Sequence, residues 1–413
     1  MNALALDHIR VADLGIITAG AATTQVLADF GANVIKVESS TYPDPFRQWT
    51  QVAANANGAA DLNASPPFQT VNRNKRGVAI NLKHPSGREA FLRLVAVSDV
   101  VVENFRRGVM ERLGLGFEDL RAVKPDIVLV SLTSQALSGP ESDFISFGST
   151  LDALGGLMSV TGYDETNPRW SGTNVNYPDQ LVSFLAPGVI LAALRRRDAT
   201  GEAVHVDFSQ RESVTSLLGE YVLEYTKTGV VSRPQGNRDS VAAPQGVYPC
   251  AGEEQWLALS VADDEQWSSL CAVLDLPALA EDERLRTADG RRAMHDELDA
   301  QIAAATKGAD KNRLAARLQA VGVSASPVLD AREVLEDPQL AALDFFQDAA
   351  PGGFPSHRQR GFAAHLDVTP GTLRHPAPRL GEHTREVLGR LLGYSEDQIE
   401  QLAESGAITL DEL

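Results

Sequence analysis

Along the first 133 residues, short apolar runs alternate with longer stretches of helical period. Residues 9–14 (IRVADL) read as a buried strand, and 20–30 (GAATTQVLADF) as a helix closed by Gly31 just past its last turn. Residues 33–38 (NVIKVE) are the next strand, and this order implies parallel pairing with a right-handed crossover. The alternation continues through strands at 78–82, 99–105 (DVVVENF) and 126–133 (DIVLVSLT), with helices at 85–97, 109–113 and 117–123. The pattern predicts an α/β fold with a doubly wound, Rossmann-like parallel sheet, whose ligands bind outside the carboxyl ends of the strands.

Residues 174–194 (NVNYPDQLVSFLAPGVILAAL) run from a polar loop straight into an apolar segment. That segment is hydrophobic nearly all round, at Leu181, Val182, Phe184, Leu185, Val189, Ile190, Leu191 and Leu194, which predicts a buried helix. Asp179 stands at its mouth. Spacing alone leaves two readings open: an N-cap for the helix's free N–H groups, or a nucleophile or base held on a rigid element. Pro187 implies a kink or a restart in the helix.

A strand at 203–208 (AVHVDF) and a helix at 212–228 follow, and the character then changes at Gly229. Residues 230–243 have linker composition, and 245–262 read as a hairpin turning at 252–254. Helices are expected at 264–274, 291–305 and 311–321, a strand near 364–368, and helices at 382–392 and 396–405. The divisions this suggests are 1–228, 229–329 and 330–413. A chain of 413 residues exceeds what one core usually serves, which agrees with two domains.

A formal net charge of −18 argues against nucleic acid or an anionic membrane as the principal partner. Two cysteines outside any CxxC pair make no disulfide framework and fit a reducing, cytoplasmic setting. The start MNALALDHIRVADLG has no signal-peptide pattern, and no run approaches the length of a membrane span. The eight histidines show neither HExxH nor HxH spacing, so no metal site is expected. GxGxxG, GxSxG and the P-loop are all missing. Within this acidic chain Arg73, Lys75, Arg76, Lys83, Arg106, Arg107 and Arg112 concentrate in one short region beside strand ends. Such residues suit phosphate recognition and point to a nucleotide-bearing ligand.

The segments LDHIRVADLG, LADFGANVIKVE, NRNKRGVAINLKHPSGREAF, DVVVENFRRGVMERLGLGFEDLRAVKPDIVLVSL and TGEAVHVDFSQ resemble the family III CoA transferases, of formyl-CoA transferase and carnitine CoA-transferase type. So do WLALSVADDEQW, GVSASPVLD and APRLGEHTREVLGRLLGY, so that the resemblance covers essentially the whole chain. It implies a large Rossmann-type domain built from both chain ends (1–228 and 330–413), a smaller α+β domain from the middle, and two interlocked subunits. It also implies that Asp179 is the nucleophile rather than a mere cap, attacking an acyl-CoA thioester and passing through covalent aspartyl intermediates. CoA enters as a substrate, and no metal or redox cofactor is needed.

By the same resemblance, Thr18 and Ala19 lie near the thioester. Lys75, Arg76, Ile80, Lys83, Asn104, Phe105 and Arg112 are implied to line the nucleotide and pantetheine, and Arg73 and Arg106 of the basic cluster are expected to join them. Thr18 replaces the glutamine of formyl-CoA transferases, and GNRDSVAAPQGVYP (236–249) replaces their glycine-rich lid, so formate and oxalate are not the expected acids. The related racemases carry a GHD segment where this chain has Ser146-Phe147-Gly148, and without that histidine two-base racemisation is disfavoured. The expected reaction moves CoA from a donor such as succinyl-CoA to an aromatic or dicarboxylic acid. The rivals are an acyl-CoA isomerase or racemase, and a subunit that works only beside a paralogous chain.

Overall fold

The computed structural model describes residues 4–49, 62–171, 175–349 and 357–411. The chain divides into two compact units. Met1–Met158, Trp170–Val230 and Ala341–Leu413 form the first; Ser159–Arg169 and Val231–Leu340 form the second. The excursion of Ser159–Arg169 into the second unit has no counterpart in the sequence reading, because a polar segment without period gives nothing to place it by.

The first unit runs β1 (Arg10–Asp13), α1 (Ala19–Asp29), β2 (Asn33–Glu38), α2 (Pro66–Asn72), β3 (Arg76–Ile80), α3 (Pro85–Ala96), β4 (Val100–Glu103), α4 (Val109–Arg112), α5 (Phe117–Val123), β5 (Val128–Thr133), α6 (Gly148–Leu154), α7 (Tyr177–Thr200) and β6 (Val204–Ser209). Strands β1 to β6 are parallel and lie in the order 3-2-1-4-5-6. The short strand Ile408–Thr409 pairs antiparallel with β3 and brings the C-terminal part back to this sheet.

Period-two alternation sorts the strand side chains onto two faces. Val11, Val34, Val100, Val102, Val128 and Val130 join one core with Leu27 of α1 and Val182, Ala186 and Ile190 of α7. Ala12, Ile35, Val37, Val101 and Leu129 join the other with Phe91 and Leu94 of α3, Leu120 of α5, and Val387, Leu388 and Ile399 from the C-terminal part.

Helix α7 departs from expectation in two ways. It passes through Pro187 as one helix without a restart. It is also buried on one stripe only: Val182, Ala186, Ile190 and Leu194 pack inward, while Phe184, Leu185, Val189 and Leu191 remain exposed. An apolar circumference gave no sign of which side the sheet would take. Among the described residues it is the one helix long and apolar enough to cross a membrane by length and composition, yet half of its apolar window is packed inside the fold.

The second unit holds the antiparallel sheet β7 (Gln245–Pro249), β8 (Trp256–Ser260) and β9 (Ser324–Pro327). The β7–β8 turn uses left-handed backbone at Gly252 and Glu254, as its composition anticipates. Leu257, Leu259, Trp267, Leu270, Leu298, Ile302 and Leu318 form this unit's own core. Two expected helices are each divided, into Ala288–Ala293 and His295–Thr306, and into Gln210–Ser216 and Gly219–Thr228. The strand expected at 364–368 does not form. Phe346–Ala349 and His357–Arg360 pair antiparallel instead.

Candidate functional site

Strand order reverses between β1 and β4. The chain leaves these neighbours in opposite directions and opens a crevice at their carboxyl ends, where doubly wound sheets bind ligands. Residues 15–18 leave β1 there and Asn104–Phe105 leave β4. The two turns are joined: the Asn104 side-chain amide donates to the Ile16 carbonyl at 3.0 Å, and its Oδ1 accepts the Ile16 N–H at 2.8 Å. Thr18 and Ala19 follow, both buried at the start of α1.

Helix α7 is the crossover that leads into β6, parallel to β5, so its N-terminus opens on this same carboxyl edge of the sheet. Tyr177 and Pro178 occupy its first turn, where a missing proline N–H costs nothing. Asp179 is the third helical residue. Asn176 holds the N-cap position, and its side chain makes no capping bond. The reading of Asp179 as the N-cap is therefore corrected, and the carboxylate is free of that duty. Among the described residues its hydrogen-bond partner is the Asn176 amide, which donates to Oδ2. No cation pairs with it among the described residues, and burial alone pushes its pKa up from 3.8 to about 7. Asn174, quoted with this loop, lies outside the described residues.

Asn176 is held by a close approach that only glycine permits. A Cβ on Gly148 would fall 1.3 Å from Asn176 Oδ1. Asn176 and Gly148 escaped the sequence reading as site residues, although an amide three positions before a first-turn acid is a visible spacing.

The basic cluster separates into two groups. Arg73 makes a bidentate pair with Asp29, at 3.0 and 2.7 Å, and is fully buried. Lys75 donates to Asp13, Ala21 O and Asn72, and burial draws its pKa down to about 8 against the pull of Asp13. Arg76 is committed to Glu386 and Asn33. Ile80 is a core residue opposite Ile408. Arg73, Lys75 and Ile80 are buried while Arg76 is partly exposed, and sequence spacing could not show the acids that engage the three cations. Lys83 and Arg106 are exposed just past the carboxyl ends of β3 and β4, and Arg112 is exposed at the end of α4. Arg106 gives one donor to Asp143 O. Phe105 is half-buried, its N–H held by Glu103 at 2.8 Å. Glu103 itself is a buried acid raised to about 7 by desolvation.

A cavity of about 740 Å³ lies elsewhere, within the second unit, bordered by Arg238, Tyr248, Arg292, His295, Asp296 and Asp299. Arg238 there is paired with Asp296 and Asp299. Its size does not outweigh the chemistry at α7, because its charged groups already neutralise one another. Among the described residues no three of His, Cys, Asp and Glu gather as a metal site.

Residues 6–384 match the family model of CoA-transferase family III. The chain is 32% identical over 397 residues to succinyl-CoA–D-citramalate CoA-transferase of Chloroflexus aurantiacus, covering 96% of each. It is 32% identical over 389 residues to succinate–glutarate CoA-transferase of Agrobacterium fabrum, covering 94% of this chain and 95% of that one. Among solved structures, a CAIB/BAIF family protein from Brucella suis superposes with a TM-score of 0.86 at 28% identity, over 94% of this chain and all of that one. A match this long, at both levels, establishes that the protein belongs to CoA-transferase family III and is an enzyme that transfers CoA.

Proposed function

We propose that the protein moves CoA from succinyl-CoA to a free dicarboxylic acid through Asp179. The observation that carries this is a carboxylate on the first turn of a long helix, at the carboxyl edge of the sheet, with no cation paired to it among the described residues. The Asp179 carboxylate attacks the thioester carbonyl, the C–S bond breaks, and a mixed anhydride and CoA thiolate form. The thiolate attacks the aspartyl carbonyl and releases the donor acid, leaving an aspartyl-CoA thioester. The acceptor carboxylate then displaces the thiolate to make a second anhydride. Thiolate attack on its acceptor-side carbonyl yields the new acyl-CoA and restores Asp179. Each step exchanges one activated acyl bond for another, which is why a carboxylate suffices as nucleophile. Thr18 and Ala19 serve the reacting acyl group, Phe105 the pantetheine, and Lys83, Arg106 and Arg112 the phosphates.

The name of the Chloroflexus relative supports succinyl-CoA as donor, and both names support a dicarboxylic acid as acceptor. The exposed apolar face of α7, with Phe184, Leu185, Val189 and Leu191, supports assembly with a second copy of the chain. The test is incubation with succinyl-CoA, trapping with hydroxylamine, and peptide mapping. A labelled Asp179 is expected; an unlabelled Asp179 beside full CoA exchange would remove it from the mechanism. Native mass spectrometry and activity of the chain expressed alone distinguish a homodimer from a subunit that needs a paralogue. Solvent deuterium entering the α-carbon without CoA exchange would identify an isomerase instead.

A further inference from the structure

The turn between β1 and α1 is held in an unfavourable backbone shape. Ile17 has φ of 57°, a left-handed value that a β-branched side chain rarely adopts. Such conformations persist only where surroundings over-determine them, and they concentrate at functional sites.

Here the surroundings are four side chains, each gripping a different part of residues 15–17. Asp13 Oδ1 accepts the Gly15 N–H at 2.8 Å, and Lys36 Nζ donates to the Gly15 carbonyl at 2.6 Å. Asn104 takes both the N–H and the carbonyl of Ile16. Asp44 Oδ1 accepts the Ile17 N–H at 3.2 Å. The grips are themselves tied together underneath. Lys36 pairs with Asp44 at 2.9 Å and Asp13 with Lys75 at 2.9 Å, all with buried side chains. The fit leaves no slack: a Cβ on Gly20 would come within 2.5 Å of both Asn104 Oδ1 and Gly15 Cα.

We propose that Asn104, Asp44, Lys36 and Asp13 are positioning residues, which hold the strained residues 15–17 so that Thr18 and Ala19 meet the reacting acyl group in a fixed place. In this proposal Asn104 acts through Ile16, to which each polar atom of its side chain makes a hydrogen bond. The inference rests on the functional reading above for what Thr18 and Ala19 do, while the grip itself is a property of the free protein.

The test compares wild type with Asn104→Ala, which removes both hydrogen bonds to Ile16, and Gly20→Ala, whose methyl group pushes on the Asn104 amide and on Gly15 while leaving Asn104 itself in place. In the protein free of substrate, amide hydrogen exchange at Ile16 and Ile17 is expected to quicken at least tenfold in both variants. With succinyl-CoA and a dicarboxylic acid, kcat is expected to fall about 10- to 100-fold while the dissociation constant for CoA stays within about threefold, as misplacement of a reacting centre does. A CoA dissociation constant raised tenfold or more in Asn104→Ala but not in Gly20→Ala would overturn the proposal in favour of direct contact. Exchange at Ile16 and Ile17 left unchanged, or kcat left unchanged while exchange quickens, would also overturn it. If wild type shows no CoA transfer, the functional reading fails, and the exchange data still decide the grip.

Discussion

Replacing Asp179 with Asn should make the protein more stable at neutral and alkaline pH while removing its activity. In the folded state burial raises this carboxyl from 3.8 to about 7. The folded protein therefore holds a proton that the unfolded chain has released across that interval, and wild-type stability declines as pH rises through it. Above about pH 7 both states are ionised and the loss is complete. At about 1.4 kcal/mol per pH unit the rise corresponds to roughly 4 kcal/mol, and the side chain's partial access to solvent brings this nearer 2 kcal/mol. Asn carries no such cost, and its Oδ1 still accepts from the Asn176 amide that Asp179 now engages. The unfolding midpoints of wild type and Asp179→Asn should thus coincide near pH 4, separate by a few degrees between pH 4 and 7, and run parallel above it. Thermal unfolding at half-unit pH steps measures this. In wild type kcat/KM should rise with pH to a plateau, with a midpoint near 7, as the nucleophile ionises. A gap that does not widen with pH, or a variant less stable than wild type at pH 8.5, would refute the argument that desolvation without a cation governs this group.

Gly148→Ala should drive a methyl group into Asn176 and cost at least tenfold in kcat with folding retained, which steady-state kinetics and circular dichroism together would show. Arg73→Ala leaves Asp29 buried without its bidentate partner and should cost about 3–5 kcal/mol in denaturant unfolding. The more conservative Arg73→Lys should leave the KM for acyl-CoA unchanged, whereas a tenfold rise would return Arg73 to the ligand site. Arg112→Ala combined with Lys83→Ala should raise that KM severalfold and flatten its dependence on salt concentration, as loss of exposed phosphate partners does; an unaltered salt dependence would place the nucleotide elsewhere.

The sequence by itself determined the layered α/β plan, because apolar runs of period two and amphipathic stretches of period 3.6 declare strands and helices locally. It also placed Asp179 at a helix mouth, through the change from NYPDQ to an apolar segment. Which face of α7 the sheet would cover was not legible, since a helix apolar all round has no preferred side until a partner is chosen. Nor did composition separate Arg73 and Lys75 from Lys83 and Arg112. A cation's role depends on the nearest acid in space, and Asp29 and Asp13 lie 44 and 62 positions away along the chain. The strain at Ile17 is likewise invisible in a string of letters. It exists only because parallel pairing places β1 beside β4, and Asn104 therefore beside Ile16, from 88 positions away.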